Sequence, residues 1–168
     1  MDKLVLDIET SNTFAEVGGE RNLRDLKVSF VGIYSYNEGR YFGFHEENIA
    51  SAAPLLQCAG LIIGFAINRF DVPVLEKHFP SFTLSAIPRL DLLEEIEFAT
   101  GRRIALNVLA KTNLGLEKTH VSGLEAIKLY RDGNFEELEK YCLNDVKLTK
   151  DLYELAKRQG YLAFHDRV

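Results

Sequence analysis

The stretch KLVLDIET, Lys3–Thr10, decides the fold. Lys3–Ile8 is a short, nearly unbroken apolar run, which is what a central strand covered on both faces requires. Residues two apart on a strand project from one face, so Asp7 and Glu9 point the same way at the end of that strand. Two like charges held this close repel, and burial raises the cost. A divalent cation removes both objections. Strand ends also turn polar without any chemistry, so this pair alone leaves both readings open.

Outward from this strand, Thr10–Asp25 is polar and contains Gly18-Gly19, a mobile loop on this reading. Lys27–Tyr36 alternates and is rich in Val, Ile, Phe and Tyr, and Asn37-Glu38-Gly39 turns it into a hairpin partner, Arg40–Phe44. Glu46–Gln57 suits a helix, Gly60–Phe65 is a second buried strand, and Val72–Phe79 is a short helix with Pro73 in its first turn. After Pro88 the pattern is helical: Leu92–Thr100, Ile104–Asn113, Ser122–Tyr130 and Phe135–Arg158, punctuated by Gly101, Gly115 and Gly133. The order predicts an α/β fold, a mixed sheet of about five strands with helices packed on both faces.

The 168 residues are 46% hydrophobic and 27% charged, with 12 Gly, 4 Pro and no Trp. That balance excludes collagen, coiled-coil and disordered chains and predicts one domain over residues 1–168. Cys58 and Cys142 lie too far apart for a zinc spacing and are expected to be buried free thiols in a reducing compartment. No run reaches the roughly 18 apolar residues of a membrane span, and carboxylates interrupt the N-terminus as no signal peptide allows. The cytoplasm is the expected location, with no membrane partner.

Two further carboxylates sit where carboxylates are costly. In Phe135–Arg158, Leu138, Tyr141, Cys142, Asp145, Leu148, Leu152 and Leu155 recur at spacings of three and four, one helix face that should meet the core. Asp145 lies within it, so it must be hydrogen-bonded, ion-paired or bound to metal. Tyr141 is one turn earlier on the same face. Asp71 precedes Val72-Pro73, where an N-cap and a metal ligand are both open readings. Parallel strands would bring the ends at Asp7, Glu9 and Asp71 together, the usual place for a site in an open α/β sheet.

Four carboxylates in the order Asp, Glu, Asp, Asp form one pattern. "LDIET" (Leu6–Thr10), "GFAINRFDVPVL" (Gly64–Leu75) and "YCLNDVKLT" (Tyr141–Thr149) together resemble the three ordered motifs of the DEDD, or DnaQ-like, 3′→5′ exonucleases. Their fold is ribonuclease H-like. The chain is most similar to the branch with a tyrosine in its last motif, which includes B-family polymerase proofreading domains and stand-alone ribonuclease H-like exonucleases. The histidine branch carries a His where this chain has Lys140, and His45, His78, His120 and His165 all lie outside the motifs. The second motif usually has Asn where this chain has Ala66, with Asn68 two residues on.

The resemblance implies that Asp7, Glu9, Asp71 and Asp145 hold two Mg²⁺ or Mn²⁺ ions and that Tyr141 orients the attacking water. The pair of ions is the usual device for in-line attack on a phosphodiester, here releasing nucleoside 5′-monophosphates from a nucleic-acid 3′ end, DNA or RNA, expected to be single-stranded. Thr10, Asn68, Arg103 and Lys118 are candidate substrate contacts, and Phe14 and Phe70 candidate stacking partners for a terminal base. Asp91 is expected to be a helix cap. A polymerase or helicase would act in trans, since the sequence carries none. The rival class is a binding module that keeps the fold without catalysis.

The net charge of 20 − 25 = −5 argues at first against a polyanionic partner. Two divalent ions would bring it to about −1. Gly101–Arg131 also holds six basic residues (Arg102, Arg103, Lys111, Lys118, Lys128, Arg131) against Glu117 and Glu125, a +4 segment expected to follow a phosphate backbone.

Overall fold

Inside strand β1 (Asp2–Thr10) the side chains sort alternately onto two cores. Leu4, Leu6 and Ile8 join Val31, Ile33, Leu56, Val74 and Leu75, whereas Val5 joins Ile63, Leu109, Val146, Leu148 and Leu152. A strand apolar on both faces stays dry only beneath helices on both sides. The computed structural model, which describes residues 1–116 and 123–164, has that arrangement.

Strands β2 (Val28–Ser35), β3 (Arg40–His45), β4 (Ala59–Gly64) and β5 (Arg89–Asp91) complete a sheet of order β3-β2-β1-β4-β5. β1 pairs antiparallel with β2 and parallel with β4; β2–β3 is antiparallel and β4–β5 parallel. The β1–β2 register slips where Glu9 pairs with Phe30 and Thr10 with Val28, so Ser29 is the extra residue of a bulge beside Glu9. Helices α1 (Ala53–Gln57) and α2 (Asp71–Leu75) supply Leu56, Val74 and Leu75 to one face. On the other lie α3 (Leu92–Thr100), α4 (Leu106–Leu114), α5 (Gly123–Arg131) and the 25-residue α6 (Phe135–Gln159), which packs on β1, β2 and β4.

The mixed five-stranded sheet is the one predicted. Several local expectations need correction. β5 falls between Pro88 and the helix expected from Leu92, where no strand is expected, because three residues are too few to display an alternation. Glu46–Gln57 is a 3₁₀ segment, Glu46–Ala52, that becomes α-helical only at Ala53. The loop after β1 ends in a 3₁₀ turn, Glu20–Asp25, and Val72–Phe79 is the short α2 followed by the 3₁₀ turn Glu76–His78. Cys58 is exposed, since α1 ends there at the surface; only Cys142 is a buried thiol. Among the described residues no helix is long and apolar enough to cross a membrane.

Candidate active site

Asp7 and Glu9 share the face of Val5, the face beneath α6. What lets α6 approach is a missing side chain. Gly32 is the β2 partner of Asp7, and a Cβ there would lie 2.9 Å from Val146 Cγ2 and 3.0 Å from Cys142 Sγ. With glycine in place, the Cys142 thiol donates to Asp7 Oδ2 at 3.4 Å and to the Asp7 carbonyl at 3.5 Å. Ligand atoms of Asp7, Glu9 and Cys142 all lie within 4.8 Å of one another. Burial pushes the thiol well above its ordinary range, and the charges of Asp7, Glu9 and Asp145 push it further. Three carboxylates therefore bear on one sulfur atom. Tyr141, adjacent on α6 and buried, packs with Phe30, Ala126 and Leu138.

Asp71 reaches the same strand from the opposite neighbour. The β1–β4 ladder ends at Val5–Ile63, and beyond it the Ile8 amide donates to Asp71 Oδ1 at 3.0 Å. Ile8 is the residue between Asp7 and Glu9. The capping reading is thereby corrected: Phe70 occupies the N-cap of α2 without a side-chain bond, and Asp71 is the first helical residue. Burial raises the Asp71 carboxyl to about 7, against the pull of its own amide and that of Ile8, and the Asp91 charge adds to the rise.

Asp91 caps α3, as expected, and does more. Its Oδ1 accepts from Leu93 N at 3.0 Å, Glu94 N at 3.3 Å and Ala66 N at 2.9 Å, and its Oδ2 accepts from Asn68 N at 3.0 Å. One carboxylate thus fastens the turn between β4 and α2 to the start of α3. That turn contains Ala66 at φ +67°, a left-handed conformation that Ala adopts at a cost and Asn tolerates. An Asp followed by a helix was legible as a cap; its grip on a turn 25 residues earlier was not.

Two cavities flank the carboxylates. One, about 410 Å³, is lined by Asp7, Asp145, Phe65, Ala66, Leu93 and Arg103 among others. The second, about 340 Å³, is lined by Glu9, Thr10, Asn12, Phe14, Phe70 and Leu124 among others. Phe14 and Phe70 meet there edge to face, with ring centroids 6.0 Å apart. Thr10, Phe14, Phe70 and Arg103 thus line the cavities beside the carboxylates. Asn68 does not: its Oδ1 accepts from Arg89 Nε and its Nδ2 donates to Glu94 Oε2, both at 2.6 Å, on the β5–α3 side. Lys118 lies outside the described residues.

The basic segment is less free than its composition implied. Arg131 Nη2 donates to both Glu16 carboxylate oxygens, at 2.7 and 2.8 Å, and Arg103 Nε lies 3.5 Å from Glu97. Lys140 sits on the exposed side of α6 between Glu136 and Glu137. His45 approaches Glu139 and stacks edge-on against Phe30, and burial pushes His78 down; His120 and His165 lie outside the described residues.

The sequence profile of the RNase H superfamily matches residues 4–157. The chain belongs to the RNase H superfamily. Curated proteins give no sequence match. Among solved structures, this RNase H superfamily chain is similar to the family B DNA polymerase of the hyperthermophilic archaeon Pyrobaculum calidifontis, with a TM-score of 0.70 and 19% identity over 94% of the chain. It is also similar to exonuclease I, with a TM-score of 0.62 and 16% identity over 94% of the chain. It spans 24% of the polymerase and 41% of exonuclease I, and at such identities the likeness is one of fold.

The donor set suits a hard divalent cation. Its oxygens are all carboxylate oxygens, the ligands that Mg²⁺ and Mn²⁺ take. Its one sulfur is held protonated by burial and by the surrounding anions, so towards a hard ion it is a hydrogen-bond donor. Concentrated negative charge within the superfamily fold is what a dication would neutralise.

Proposed function

We propose that the chain is a metal-dependent 3′→5′ exonuclease that hydrolyses the terminal phosphodiester of single-stranded DNA or RNA and releases nucleoside 5′-monophosphates. One observation carries this reading: ligand atoms of Asp7 and Glu9 lie within 4.8 Å of each other and of Cys142 Sγ, Asp145 lines the same cavity as Asp7, and Asp71 accepts from the amide between Asp7 and Glu9. On this reading carboxylates from the first strand, from α2 and from α6 act as one set. The exonuclease likeness in fold supports the same class of chemistry.

On this proposal Asp7, Glu9, Asp71 and Asp145 would hold two Mg²⁺ or Mn²⁺ ions. Bound ions supply Lewis acidity and charge neutralisation at the scissile phosphate. The protein supplies the rest. Tyr141, one turn before Asp145 on the same helix face, orients the attacking water. Phe14 and Phe70 offer an aromatic wall for the terminal base beside Glu9. Arg103 lines the larger cavity together with Asp7 and Asp145 and would contact a phosphate there.

The test is a set of digests. DNA and RNA oligonucleotides labelled at the 5′ end, single- and double-stranded, are incubated with Mg²⁺ or Mn²⁺. A ladder shortening from the 3′ end and lost in Asp145→Ala supports the assignment, and internal cuts or intact substrate refute it. Tyr141→Phe should slow kcat by about 10²-fold, the scale on which a misplaced reactant costs rate.

A further inference from the structure

We propose that Cys142 gives this centre a second metal preference: with Asp7 and Glu9 it forms a tripod of two carboxylate oxygens and one sulfur that captures thiophilic divalent ions of the Zn²⁺ class in competition with Mg²⁺ or Mn²⁺. The inference rests on the same carboxylates as the proposed exonuclease but not on their activity.

Zinc is bound tetrahedrally, with Zn–S near 2.3 Å and Zn–O near 2.1 Å, which places a sulfur and an oxygen ligand about 3.6 Å apart. Cys142 Sγ already lies 3.4 Å from Asp7 Oδ2. The three ligand atoms fall within 4.8 Å of one another, so small side-chain rotations close the tripod. The sulfur cannot drift away, because α6 is seated on the bare backbone of Gly32 and the residue is fully buried. Asp7 also lines the larger cavity, which leaves a fourth position open to water or a phosphate oxygen. Soft thiolate favours Zn²⁺ and Cd²⁺ over Mg²⁺, and capture releases the thiol proton to solvent. An ion held this way occupies carboxylates that the hard ions need, so zinc should arrest turnover.

The protein is tested with Cys58→Ser, which removes the exposed thiol, and titrated with Cd²⁺. The expected result is one tightly bound ion per chain and a sulfur-to-metal charge-transfer band in the ultraviolet. Adding Cys142→Ala should abolish the band and weaken Cd²⁺ by at least about tenfold, while weakening Mg²⁺ far less. No band with Cys142 intact, or a band that survives Cys142→Ala, overturns the tripod, and the first of these readings needs no change at Cys142. A protein that degrades oligonucleotides with Mg²⁺ but shows no band keeps the exonuclease and loses the tripod. A band without nucleolysis does the reverse.

Discussion

The Ile8 amide and the Asp71 carboxylate, 63 positions apart, are joined by a 3.0 Å hydrogen bond at the point where β1 runs past the end of its β4 partner. The bond satisfies a buried N–H that the sheet has abandoned and ties Asp71 to the residue between Asp7 and Glu9. Burial raises that carboxyl from 3.8 to about 7. Between those values the metal-free native state keeps a proton that the unfolded chain has lost, so the stabilisation is complete below about pH 4 and is lost as the pH rises through about 7. Melting temperatures in EDTA should fall across that window. Asp71→Asn should flatten the slope, and added Mg²⁺ should restore most stability on the alkaline side.

Gly32→Ala places a methyl 2.9 Å from Val146 Cγ2 and 3.0 Å from Cys142 Sγ. Overpacking of this kind costs about 1–3 kcal/mol. Here it should also push α6 off β2 and separate Cys142 and Asp145 from Asp7. Urea unfolding measures the first effect and loss of Mg²⁺-dependent thermal stabilisation the second. Gly123→Ala is the control, since a Cβ there meets nothing within 4 Å; it should leave both unchanged.

Removing the Asp91 carboxylate strands the amides of Ala66, Asn68, Leu93 and Glu94. Hydrogen bonds to a charged group contribute about 1.5–3 kcal/mol each, and they are not additive in one cluster. Asp91→Ala should therefore cost about 3 kcal/mol or more by chemical denaturation, and Asp91→Asn clearly less, because its remaining oxygen still accepts. A loss below about 1 kcal/mol in Asp91→Ala would show that the turn holds its shape without the carboxylate.

Ala66 sits at φ +67°. Ala66→Gly relieves about 1–2 kcal/mol of backbone strain and gives back about half to glycine's extra freedom in the unfolded chain. Ala66→Asn keeps a side chain that tolerates the conformation and sets an amide in the larger cavity. Both should melt at or above the wild-type temperature. Only Asn should change KM for an oligonucleotide.

What the sequence disclosed was whatever periodicity writes locally. The apolar run around Asp7 and Glu9 and the stripe holding Tyr141, Cys142 and Asp145 are repeats of two and of three to four, so strand and helix could be read directly. β5 could not, being three residues long and held by register to β4. Cys142 passed for an inert core thiol because its distance from Asp7 depends on Gly32, which the β1–β2 pairing places opposite Asp7. Asp91 showed its cap and hid its turn, and Asn68 showed a polar side chain without the Arg89 and Glu94 that engage it. Each miss is a contact that exists only once two distant segments meet.

The seat of α6 on Gly32 has a consequence during synthesis. Asp7 and Glu9 are synthesised more than a hundred residues before Asp145, so the cluster is completed only when α6 has emerged and docked on β2. A growing polypeptide that ends before α6 therefore cannot assemble the cluster, however long its β1 has been exposed.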